Sequence, residues 1–201
     1  MESVSVDSLH QRIAARVRQL RADAGLSLDG LAAASRVSRS ALSLIERAES
    51  SPTAVVLDKI AAALDVPLAS LFDPAPAPAA ASPMSRRATQ ALWQDPGSGY
   101  VRRGVSPAGW PSPIQIVEIH FPAGATVAYE SGPRERTLHQ QIWLLEGRID
   151  FRIGEQTWRL EAGDCLALQL DRPTHFHNPT RKAARYAVVL VSEPAIVAVR
   201  R

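Results

Sequence analysis

The chain has 201 residues, room for one large domain or two small ones, with 23 Lys and Arg against 20 Asp and Glu and a formal charge of +3. No apolar run approaches the roughly 18 residues that a membrane span needs, which excludes a helical membrane protein. The lone Cys165 excludes an internal disulfide and a Cys-rich zinc site. The acidic, polar stretch Met1–Asp7 has neither the basic nor the apolar region of a signal peptide, so a soluble, cytoplasmic protein is expected. A sequence pI near 9.5 invites a nucleic-acid partner. Residues 1–72, however, hold eight basic residues (Arg12, Arg16, Arg18, Arg21, Arg36, Arg39, Arg47, Lys59) and eight acidic ones (Glu2, Asp7, Asp23, Asp29, Glu46, Glu49, Asp58, Asp65). DNA contact must therefore rest on where the charges lie, not on their sum.

In chain order, Leu9, Ile13, Val17 and Leu20 share one face of a predicted helix that ends near Gly25, a residue suited to a left-handed cap. Ser27 can cap a second helix with Leu28, Leu31 and Ala32 on its apolar side. Ser38 can cap a third, Arg39 to about Arg47, which buries Leu42 and Ile45. Pro52 and Thr53 open a fourth with Leu57, Ile60, Ala61 and Leu64 inward, and Pro67 opens a last turn carrying Leu68, Leu71 and Phe72. The pattern predicts a bundle of about five helices over residues 1–72. A Pro/Ala-rich linker follows at 73–87, without apolar periodicity.

From residue 88 the pattern changes to short alternating runs cut by Gly, Pro and Asp. Strands are predicted at 100–105, 114–121, 125–130, 140–145, 149–153, 156–160, 165–170 and 187–191. Turns fall at Glu146-Gly147, Gly154-Glu155 and Ala162-Gly163-Asp164. Many short strands of even spacing predict an all-β sandwich or barrel.

The segment LSLDGLAAASRVSRSALSLIERAESSP, residues 26–52, resembles the lambda-repressor-like helix-turn-helix proteins of the XRE type, a likeness that extends over residues 9–72. The resemblance implies an all-α bundle whose third helix enters the major groove of DNA. Arg39, Ser40 and Leu44 then take the base-reading positions, Arg39 with the geometry for guanine. Ser38, Ser43 and Arg47 are placed for phosphates. Two positions depart from the family pattern: Arg36 stands in the turn where Gly is usual, and Gly30 replaces the usual Glu, which removes half of a capping box behind Ser27.

The second half, through QIWLLEG (141–147) and GDCLALQLDRPTHFHN (163–178), resembles the cupins, which implies a double-stranded β-helix, or jelly-roll, barrel over residues 88–201. Metal-binding cupins carry two His and a Glu in the first motif and a His in the second. In this register the Glu falls on Gln140, the first two His fall within Arg134-Glu135-Arg136 and the last falls on Thr174, so neither a metal nor another cofactor is expected. His139, His175 and His177 lie out of that register, and an off-register metal site built from them is the alternative.

A pocket lined by Tyr129, Arg134, Arg136, Gln140, Ile142 and Thr174 is expected. Arginine forks match carboxylates and phosphates, so its ligand is expected to be a small anion. The alternative is that these arginines only solvate the loop after Gly132-Pro133. Cys165 is expected to be an inert core thiol. The combined architecture implies a homodimeric, DNA-binding transcription regulator with a small-molecule effector and no enzymatic activity. Two other readings are a metal-dependent cupin dioxygenase or isomerase fused to a DNA-binding domain, and a barrel that only dimerises a constitutive repressor.

Overall fold

The structure, a computed structural model of the chain, describes residues 6–73, 82–130 and 137–193. Its first part holds helices α1 (Val6–Asp23), α2 (Leu28–Ser35), α3 (Arg39–Glu46) and α4 (Ala54–Ala63), followed by a 3-10 turn, Leu68–Phe72. The expected fifth helix is this 3-10 turn. Leu9, Ile13 and Val17 of α1 are buried against Leu31, Leu42, Ile45, Leu57, Ile60 and Leu71, so the apolar stripes of all four helices meet in one core. Caps set the helix starts: Gly30 N donates to Ser27 Oγ at 3.0 Å, Ala41 N to Ser38 Oγ at 3.2 Å and Val56 N to Thr53 Oγ1 at 3.4 Å. Arg36, at φ 56° and ψ 27°, ends α2 in the left-handed region, where a side chain costs about 1 kcal/mol.

The second part has strands β1 (Leu92–Gln94), β2 (Val101–Gly104), β3 (Ile114–Phe121), β4 (Thr126–Tyr129), β5 (Thr137–Glu146), β6 (Arg148–Ile153), β7 (Gln156–Glu161), β8 (Cys165–Gln169), β9 (Thr174–His177) and β10 (Ala184–Glu193). They form a six-stranded sheet, β1-β2-β3-β10-β5-β8, and a four-stranded sheet, β4-β9-β6-β7, with antiparallel pairing throughout. The inner faces meet in a core of Phe121, Phe151, Ile142, Leu144 and Ile149, which gives the all-β cupin-type barrel. Strands β1 and β9 escaped the sequence reading. β1 is a three-residue edge, and β9 is four residues set between Pro173 and Asn178.

Gly147, between β5 and β6, has φ 84°, and a Cβ there would lie 2.9 Å from Cα of Ala184, so only glycine fits this turn. Asn178, fully buried after β9, donates from Nδ2 to the carbonyls of Pro122 (3.0 Å) and Lys182 (2.8 Å) and accepts from Thr180 N (3.0 Å). Cys165, expected in the core, is instead exposed: on β8, at the sheet edge, alternation turns it to the outer face beside Trp143.

The two parts are docked. Asp95, buried in the turn after β1, accepts from Ala54 N at 2.8 Å, so a barrel residue caps the first turn of α4; its other oxygen accepts from Ser98 N (2.7 Å) and Ser98 Oγ (2.6 Å). Lys59 of α4 pairs with Glu130 at 3.1 Å. Phe72 sets its ring edge-on to Trp93 at 5.3 Å, and Trp93 does the same to Tyr100 at 5.8 Å. From there the row of rings continues through Phe121 and Tyr186 to Phe176 inside the barrel.

Candidate nucleic-acid interface and barrel cavity

Helix α3 presents its first turn to solvent. Ser38, Arg39 and Ser40 are exposed, as is Leu44 a turn later, while Leu42 and Ile45 hold the opposite face in the core. Ser38 and Ser40 share a hydroxyl contact of 3.2 Å. Arg39 reaches Asp29 of α2 at 3.0 Å with both side chains largely exposed, a pair that DNA phosphates or a base edge can displace at little cost. Arg47 donates to Ser43 Oγ at 2.6 Å and to Glu49 at 2.8 and 2.9 Å. Hydrogen bonding to Glu49 holds the Arg47 guanidinium above its ordinary range and the Glu49 carboxyl below. Three of the cations of this half, Arg21, Arg39 and Arg47, are thus held in local pairs with Glu46, Asp29 and Glu49.

A contact absent from the sequence reading fixes how α3 projects. Arg21 of α1 forms a two-pronged pair with buried Glu46, at 2.6 and 2.9 Å, and also donates to Leu26 O at 2.9 Å; Arg18 donates to the carbonyl of Glu46. Hydrogen bonding to Glu46 raises the Arg21 guanidinium above its ordinary range. The last residue of α3 is thereby tied to α1 and to the turn before α2.

In the barrel, a cavity of about 90 Å³ lies between the sheets and is closed on one side by the helical part. Of the six residues expected to line a pocket, Tyr129, Gln140 and Thr174 border it; Gln140 and Thr174 are 7% and 3% exposed. Ile142 does not border it. Its side chain points inward but packs into the core, paired across β5 with Val188 and Leu166. Arg134 and Arg136 lie outside the described residues, as do residues 74–81 of the expected linker. The histidines face away from the lumen. His139 is exposed beside Glu193 at 3.8 Å, while His175 and His177 alternate with inward Phe176 and stand opposite Arg152 and Asp150. Burial, Arg152 and His177 together lower the His175 imidazole. Among the described residues, no three His, Cys, Asp or Glu side chains come together as a metal site.

Three sets of cavity residues were not anticipated. Tyr100 hydrogen-bonds Tyr129 through their hydroxyls at 3.1 Å, and burial pushes the Tyr100 phenol up to about 12. Arg102, only 6% exposed, borders the cavity, and burial lowers its guanidinium against the opposing pull of Tyr100 and Asp73. Asp58 of α4 with Pro67, Leu68 and Ala69 forms the remaining wall. Alternation along β2 could have paired Tyr100 with Arg102 on one face, but the part played by the helical residues has no local signal.

Residues 17–71 match the helix-turn-helix family HTH_3. The chain is 27% identical over 183 residues to the HTH-type transcriptional regulator SutR of Escherichia coli (strain K12), spanning 86% of this chain and 96% of that protein. The crystal structure of an HTH_3 family transcriptional regulator from Vibrio cholerae superposes with a TM-score of 0.72 at 25% identity, covering 93% of this chain and 98% of that one. Hydroxypropylphosphonic acid epoxidase from S. wedmorenis is more distant, at 14% identity and a TM-score of 0.45 over 92% of this chain and 99% of its own, too far to bear on activity. No helix among the described residues is long and apolar enough to cross a membrane. The helical part is therefore an XRE-type helix-turn-helix domain of the HTH_3 family, carried on a cupin-type barrel in a chain homologous to HTH-type transcription regulators.

Proposed function

We propose that this transcription regulator reads duplex DNA with the exposed first turn of α3 and that its barrel is a sensor for a small molecule, not a catalyst. The observation that carries the DNA reading is the clamp at Glu46: a helix whose far end is fixed by Arg21 and Arg18 offers Arg39, Ser40 and Leu44 to the major groove at a set angle, with Ser38, Ser43 and Arg47 beside the phosphates. The sensor reading is supported by the cavity between the sheets and by Gln140 and Thr174, neutral groups at lumen positions where a metal-dependent relative would need ligands.

Two recognition helices one turn of duplex apart call for a homodimer, which we place in the cytoplasm. A second copy fits the outer face of the six-stranded sheet, where Trp143 is 51% exposed between Ala187 and Cys165 and continues into Ile116, Val189 and Ile114. On this reading Trp143→Arg shifts the chain to monomer in sedimentation. An unchanged dimer places the contact elsewhere.

The DNA reading is tested by selecting a binding sequence from a random duplex pool with the full chain. Arg39→Ala is expected to weaken binding to that sequence by about 1 to 3 kcal/mol and to relax the base preference at one position. Unaltered affinity would mean that Arg39 does not read a base, and an affinity independent of salt would contradict phosphate contact altogether.

A further inference from the structure

We infer that the cavity is a two-domain site for a small carboxylate with an apolar body, in which Arg102 receives the carboxylate and the helix-turn-helix domain forms the roof. The inference rests on the reading of the barrel as the sensing part and adds what it senses and how the signal leaves it.

The ligand class follows from size and lining. A cavity of about 90 Å³ has room for roughly six to nine water-sized groups, a short branched or aromatic acid. Its walls are largely apolar, with Ile119, Phe121, Val127 and Phe176 among them. Among the described residues Arg102 is the cation on the wall, and it also borders the neighbouring cleft that Phe72 and Asp73 line. Among the described residues it has the Phe72 ring 4.2 Å from its guanidinium carbon and the charge of Asp73 nearby, and none of them hydrogen-bonds its guanidinium. A buried guanidinium needs acceptors for its five donors, and a carboxylate supplies two in the matching geometry. Tyr129, Gln140 and Thr174 are further polar groups on the wall. Asp58, also on the wall, is engaged by a partner of its own.

The route out follows from the roof. Asp58 belongs to α4, and Pro67, Leu68 and Ala69 to the turn after it. Leu57 and Ile60 of α4 and Leu71 of the turn are fully buried in the core that also holds Leu42 and Ile45 of α3. The roof cannot move without carrying the recognition helix. Arg102 itself stacks on Phe72, the last residue of that turn, so the group that meets the carboxylate also touches the DNA-reading domain. A ligand that spans wall and roof therefore favours one placement of the domain on the barrel, and DNA and ligand must influence each other's affinity by the same factor.

The test uses the full chain, its selected duplex, and isovalerate and benzoate as probes, with isovaleramide and benzamide as uncharged counterparts of the same shape. The expected result is a rise in melting temperature with at least one acid and not with its amide, and a change of at least about threefold in DNA affinity under saturating acid. Arg102→Met is expected to abolish the acid's effect. Because Arg102 also packs on Phe72, Val127→Phe, which fills the cavity from the barrel side, is the second variant and is expected to do the same. Acid and amide acting alike, or an acid response that survives Arg102→Met, would overturn the assignment to Arg102 and leave the sensor reading intact. Acid binding with unchanged DNA affinity would overturn the roof as the route, and absence of any response to either acid would overturn the ligand class.

Discussion

The recognition helix and the barrel cavity are both surfaces prepared for a ligand, yet they are assembled in opposite ways. Every group that α3 offers lies between Ser38 and Arg47, and one local device, the Ser38 cap, starts the helix that displays them. The cavity draws on both sheets and on α4 and the turn after it, so its neighbours are brought together by pairings remote in sequence. A display surface can thus be specified by a short word, whereas a cavity between sheets exists only once the whole chain is folded. The exception on the display side is the clamp behind α3, and the exception on the cavity side is the cap that joins the two parts.

Glu46→Ala tests whether the display surface is as local as it looks. It leaves Arg21 partly buried without its carboxylate, and about 3 kcal/mol of stability should be lost from the helical part together with DNA binding. If denaturant melts and DNA affinity stay as in the parent chain, α3 holds its angle without help from α1.

Asp95→Ala tests the joint. Removing the acceptor for Ala54 N and the brace of Ser98 should cost about 1 to 2 kcal/mol and split a single thermal transition into two, one by helix content and one by the emission of the barrel's tryptophans. Coincident transitions at the original midpoint would show that the aromatic row holds the parts together without the cap.

The smallest effect concerns a charged cluster around Glu118 of β3. Burial would raise the Glu118 carboxyl, but the Arg185 hydrogen bond at 3.0 Å with His120, Arg103 and Arg87 around it holds the group below its ordinary range. A carboxyl lowered by folding adds stability above its unfolded value near 4.5, and that stability is lost as pH falls through the folded value. The melting temperature should fall by a few degrees below about pH 4.5, and Glu118→Gln should flatten this part of the profile. An identical acid limb in the variant would assign it to other carboxyls.

The same contrast explains what the sequence revealed. The helices carry their own stops and starts, Gly25, Ser27, Ser38 and Thr53, and strand β3 and the turn at Gly147 are marked by alternation and by a glycine that nothing else can replace. Gln140 and Thr174 could be assigned to the lumen from the register of the motifs that resemble the cupins. Alternation sets Arg102 on the face of Tyr100, but its neighbour Arg103 is chemically identical, and the pairing of β2 with β1 and β3 decides which face turns inward. Ile142 was misplaced for a related reason: alternation fixes the face of a strand but not the depth at which the core gives way to a cavity. Cys165 is exposed although its strand is apolar in composition, because β8 lies at a sheet edge.

The row of rings that runs from Phe72 into the barrel also gives the chain an optical signature. Trp93 is 3% exposed and sits between Phe72 and Tyr100, whereas Trp110 and Trp143 are 43% and 51% exposed. With the half-buried Trp158 replaced by Phe, a dissolved quencher will extinguish the outer indoles and leave the emission of Trp93, shifted to the blue by its dry surroundings. Any separation of the two parts would admit water to that ring and turn its colour toward the red, so light alone can follow their parting without a label.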